Sequence, residues 1–177
     1  MARQTMTVTL YMSELIYDVQ NKTHLTGRSR GNGQNHEEVA NMQANDDEEN
    51  ANQILRSIGN AFTTLKTKLS EYLEGSSTSS DDILINGATN LTVTLKMPSN
   101  YNKATLDTVS SALHQYIVNL AIGDWFVITD KSDAGDYLNM AASNLETVRE
   151  AINKRVRPTR TAPVVGSGSG SGTGTNG

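Results

Sequence analysis

The chain has 177 residues, with 36% hydrophobic and only 5% aromatic content, so the expected core is aliphatic and modest. Its net charge of −4 argues against a chain that binds nucleic acid through its overall field, and the lack of cysteine excludes disulfide and thiolate chemistry. No stretch approaches the ~20 apolar residues of a membrane helix, and "MARQTMTVTL" carries no signal-like apolar run, so a soluble chain made in the cytoplasm is expected, with no membrane partner.

"TMTVTLYM" alternates from Thr5 to Met12 and predicts a half-buried strand. Ser13 has the chemistry of a helix N-cap. Leu15, Ile16 and Val19 give the stripe of a helix that Gly27 can close. "GRSRGNGQN", 27–35, has the composition of a loop. The pattern is weakly helical at 36–46 and firms from Asp47. Ile54, Leu55, Ile58, Phe62, Leu65, Leu69 and Leu73 recur at helical spacing, with Gly75 as the stop. Gly59 interrupts this stripe and allows close approach of a neighbour, at a helix cost of about 1 kcal/mol relative to Ala.

"ILINGATNLTVTLKMP" reads as a hairpin, with Ile83–Ile85 as one arm and Leu91–Met97 as the other. Two long helices are then expected, over 101–129 and 132–155. The short "TDKSD" connection makes them antiparallel, with Ser132 or Asp133 as the cap. The second ends before Pro158. The fold class is therefore α+β: mainly helical, with long antiparallel helices, a small antiparallel β-sheet and a flexible C-terminal arm. Residues 1–160 form one domain, and 161–177 form a Gly/Ser-rich arm.

Few residues suggest chemistry. His24, His36 and His114 fall in three separate elements without metal-ligand spacing, so no metal and no cofactor is expected. The acids Glu37, Glu38 and 46–49 lack the order of a calcium loop and suit helix N-termini. "GRSRGNG" is neither a phosphate loop nor a dinucleotide site, but Arg28 and Arg30 suit a neighbour's carboxylates or nucleic-acid phosphates. No nucleophile and base pair is legible, so the chain is not expected to be an enzyme.

Trp125 and Phe126 are adjacent and point about 100° apart on a helix. Both can be buried only if that helix is covered on two sides, either by the core alone or by core plus a subunit contact. Lys154, Arg155, Arg157 and Arg160 cluster near the end of the last helix, and Arg157 and Arg160 lie beyond that end, flanking a proline in a segment expected to be extended. The three arginines are candidate contacts to an acidic surface or a nucleic-acid backbone. Beyond them, Pro163, Val164 and Val165 form a small apolar hook on a "GSGSGSGTGTNG" tether, suited to a groove on a neighbouring copy. The drift of that tether from Ser to Thr to Asn favours a natural run over a cloned linker.

"MTVTLYMSELIYDVQNKTHLTGRSR", "DDEENANQILRSIGNAF" and "YIVNLAIGDWFVITDKSDAGDYLNMAASNLETVREAINKRVRP" resemble small structural proteins from the virion genes of tailed phages and prophages of gut anaerobes. The nearest class is the head–tail connector, or neck adaptor. The resemblance covers 5–160 and lies in texture and chain order. It implies a homo-oligomeric ring in the virion neck, between portal and tail proteins, with arms and loops crossing to neighbours and a path left for DNA. The small sheet departs from the mostly helical adaptors, which leaves stopper, tail terminator or another tail part open. A nucleic-acid-binding accessory protein using the five arginines is the alternative from a different class.

Overall fold

The computed structural model describes residues 4–75 and 80–160. Two strands and five α-helices follow in chain order among them. The architecture is the expected α+β one, mainly helical with a small antiparallel sheet.

Strand β1, Gln4–Leu10, takes the alternation seen in the sequence: Val8 and Leu10 are buried while Thr5, Thr7 and Thr9 are exposed. Its partner is β2, Leu91–Met97, in antiparallel register from Gln4 opposite Met97 to Leu10 opposite Leu91. The pairing places Met6 against Leu95, Val8 against Val93 and Leu10 against Leu91 on one face. Threonines gather on the other, where the Thr7 and Thr94 hydroxyls lie 3.3 Å apart. The expected local hairpin does not form. Residues 83–85 are not a strand, and Ile85 packs instead toward Gly59, where an added Cβ would lie 2.9 Å from the Ile85 Cδ1. Gly59 thus gives the close approach expected of it. Pairing with β1 lets β2 bury Leu91, Val93, Leu95 and Met97 together with Val8 and Leu10 in the common core.

Helix α1 covers Met12–Arg30 and buries Met12, Leu15, Val19, Thr23 and Gly27 in one row. It starts before Ser13, with Tyr11 in the cap position, and runs through Gly27 rather than ending there. Gly27 lies under the following segment: a Cβ would stand 3.1 Å from the Val39 carbonyl. That short helix, α2, spans His36–Met42. The Thr23 hydroxyl accepts the Ala44 N–H at 3.2 Å, which ties the chain after α2 back to α1.

Helix α3, Glu48–Lys68, begins after Asp47 and buries Ile54, Ser57, Ile58, Ala61 and Leu65. It stops short of the expected end, and 69–74 turn back so that Tyr72 O accepts from Lys96 N and Thr94 O accepts from Glu74 N. Those bonds occupy the side of β2 away from β1.

A 3-10 turn at Lys103–Thr105 leads into α4, Leu106–Thr129, the central helix. Its residues are buried on several sides because α1, α3, α5 and β1 all pack on it. Helix α5, Lys131–Asn153, returns antiparallel across a one-residue turn. Asp130 caps it, two or three residues before the expected caps: its carboxylate accepts the Ser132 N–H at 2.9 Å and the Ser132 hydroxyl at 2.6 Å. These hydrogen bonds, hydroxyl first, hold the Asp130 carboxyl below its ordinary pKa. Gly123 of α4 leaves room for Leu138 of α5, whose Cδ2 would lie 2.7 Å from any Cβ there.

Candidate assembly interface

The described residues among the contact candidates singled out in the sequence occupy two ends of the molecule and its interior. Helix α5 separates the two ends: its 23 residues span about 35 Å at the α-helical rise.

At its N-terminal end, Arg30 closes the last turn of α1 onto Asp133. The guanidinium donates through Nε to Oδ2 at 3.2 Å and through Nη2 to Oδ1, a fork on a carboxylate that is only 6% exposed. The bond to Asp133, with the charge of that carboxylate, raises the Arg30 pKa. Arg30 is therefore engaged within the subunit. Arg28, two residues earlier, is exposed, and its side chain makes no hydrogen bond or ion pair among the described residues.

In the interior, Trp125 and Phe126 are 6% and 0% exposed. The indole Nε1 donates to the Met42 carbonyl at 2.9 Å, which anchors the end of α2 on α4. Phe126 meets Tyr137 of α5 at a centroid separation of 5.4 Å. The helix is covered on two sides by α2 and α5 of the same chain. The subunit-contact reading of this pair is corrected: both rings are enclosed by their own chain.

At the C-terminal end of α5, Lys154–Val156 lies against 100–102. Asn102 N donates to Lys154 O at 3.0 Å, Val156 N donates to Asn100 O at 2.9 Å, and Tyr101 and Arg155 form an isolated β-bridge. Arg155 Nη1 donates to Asn100 Oδ1 at 2.8 Å. This contact holds Arg155 to its own subunit. Arg157 and Arg160 are exposed, and their side chains make no hydrogen bond or ion pair among the described residues. Pro163, Val164 and Val165 lie outside the described residues. The five arginines do not form one basic patch: two sit at one end of α5 and three at the other.

No family model, curated protein or solved structure matches this chain.

A third surface was not legible as a site. On the α1 side of α4, a cleft of about 440 Å³ holds Lys22, Gln115 and Asn119, with Leu25 and Met140 at its rim. Lys22 Nζ donates to Gln115 Oε1 at 2.7 Å and to Asn119 Oδ1 at 3.3 Å. Burial lowers the Lys22 pKa, and the nearby Asp18 carboxylate opposes that shift. Asp18 itself pairs with His114 at 2.9 Å. The Thr26 and Tyr137 hydroxyls meet at 2.8 Å. Leu25 and Met140 remain 52% and 43% exposed. Apolar residues around a half-buried cation suit a contact with a partly acidic protein surface. The available signal was that Leu25 lies off the row formed by Met12, Leu15, Val19, Thr23 and Gly27.

The described residues contain no group of three or more His, Cys, Asp and Glu side chains that could hold a metal ion. No described helix is long and apolar enough to cross a membrane.

Proposed function

We propose that this chain is a structural subunit of a tailed-phage virion, in the head–tail connector class, that assembles with copies of itself into a ring between portal and tail. Its work is geometric rather than catalytic: helices make the body, while the arm and loops reach neighbours. It is made in the host cytoplasm and carried in the neck of the particle. A tail terminator or stopper would use the same parts in another ring of the tail.

The observation that carries this reading is the exit of the chain. Residues 154–156 are bonded to 100–102, and Arg157–Arg160 then run exposed, with two cations whose side chains have no described partner. An arm fixed at its root and open beyond it suits contact with a neighbouring subunit. The two rim hydrophobics, Leu25 and Met140, add a second contact surface on the helical body.

Light scattering after size exclusion tests the reading on the full chain and on a chain ending at Arg160. A defined oligomer that weakens on truncation is expected. A monomer at every concentration, together with absence of the chain from purified particles, would count against it. The nucleic-acid alternative predicts binding that falls steeply with salt. Its support is reduced by the engagement of Arg30 with Asp133 and of Arg155 with Asn100.

A further inference from the structure

Strand β1 has one open edge. Its inner edge pairs with β2, and no described backbone group outside the sheet bonds to residues 4–9. A strand edge left in this state is a template for another strand. Beside it runs a groove of about 460 Å³ lined by every residue from Gln4 to Thr9. Successive strand residues point to opposite faces, so a groove touching all six follows the edge rather than one face. The opposite wall is Tyr101, Leu106 and Asp107.

The geometry points to residues Thr161–Gly166 of a second copy of this chain as the occupant, added as a strand along β1. The inference rests on the oligomeric reading above. The segment "TAPVVG" has six residues, matching the six of the groove. Val164 and Val165 have the branched side chains that strands favour. Pro163 lacks an N–H, which an edge position tolerates. The Met6 and Leu106 side chains, both half-buried against the core, offer apolar surface for a valine.

The path of the arm favours a second copy over the chain's own groove. Gln4 Nε2 donates to Ser99 O at 3.1 Å, and Val156 bonds to the adjacent Asn100. The start of β1 and the root of the arm are thus bonded to neighbouring residues, and a strand added by the chain to itself would have to turn onto β1 directly from this root. Residues 157–160 instead are exposed and form no hydrogen bond with the described residues of the body, so no described contact seats the arm against its own subunit before the segment starts. Five residues, 157–161, reach about 17 Å when extended, enough to cross a subunit boundary.

The cysteine-free chain allows a direct test. Thr5→Cys, Thr7→Cys and Thr9→Cys chains, all altered at exposed positions of β1, are each mixed with a Val164→Cys chain and oxidised. A mixed disulfide dimer on a non-reducing gel is expected for at least one of the three. It should be absent when Thr147→Cys, exposed on α5, replaces the β1 cysteine. Chains carrying both cysteines report on self-pairing: an intrachain bridge without mixed dimers would overturn the assignment to a second copy. No bridge of either kind, with a defined oligomer still present by light scattering, would overturn the groove assignment and leave the ring reading standing. No bridge and a monomeric mass would remove both.

Discussion

The α4–α5 turn and the C-terminal exit both looked like contact points, yet the fold treats them in opposite ways. Around the turn, Trp125 and Phe126 are enclosed by α2 and α5, and Arg30 forks onto a buried carboxylate. At the exit, the backbone is held as far as Val156, and the side chains of Arg157 and Arg160 are left without described partners. The difference teaches that composition alone does not mark a contact surface. A cation or an aromatic ring is available to a partner only where the chain's own elements have not already covered it.

Substitutions that follow this division should move stability in one region and assembly in the other. Phe126→Ala should have the largest effect, a loss of about 3–5 kcal/mol in denaturant unfolding, because a fully buried ring is replaced by a cavity beside Tyr137. Wild-type stability in this variant would place Phe126 outside the core and restore it as a contact residue. Trp125→Phe keeps most of the apolar bulk but leaves the Met42 carbonyl without its donor, for an expected loss of about 1–3 kcal/mol by the same measurement.

Arg30→Ala should lower Tm modestly at low salt, and the gap to wild type should narrow as salt is added, since the guanidinium is half exposed. No gap at low salt would move Arg30 into the company of Arg157 and Arg160. The Asp130 cap should give a smaller and pH-dependent effect. Its carboxyl pKa is lowered in the fold, so its contribution is present above the unfolded value near 3.9 and is lost as pH falls through the folded one. The stability difference between wild type and Asp130→Asn, followed from neutral pH into the acid range, should therefore change only below about pH 4. At the small end, Arg157→Ala and Arg160→Ala should leave unfolding within about 0.5 kcal/mol of wild type while weakening the oligomer. A clear loss of stability with unchanged mass would erase the contrast between the two regions.

Much of the fold was legible because it is written in local periods. The helical rows of α3, α4 and α5 and the alternation of β1 and β2 are visible without knowledge of their partners. The candidate contact residues were less legible. Arg28, Arg30, Arg155, Arg157 and Arg160 look alike in sequence, and only the neighbours that the fold supplies separate the engaged ones from the open ones. Lys22 escaped notice because its partners, Gln115 and Asn119, lie more than ninety residues away.

The amino-acid sequence by itself determined that β1 and β2 are strands and that the bodies of α3, α4 and α5 are helices. Side-chain spacing and backbone preference act over a few residues, so they can be read locally. Tertiary structure decided the partners. It paired β2 with β1 rather than with Ile83–Ile85, since that register puts both apolar rows in one core. It carried α1 past Gly27, because α2 packs over a position with no Cβ. It also set Asp133 under Arg30, where the ends of two helices far apart in the chain come together. Each of these choices depends on surface buried between distant segments, a quantity that no local pattern contains.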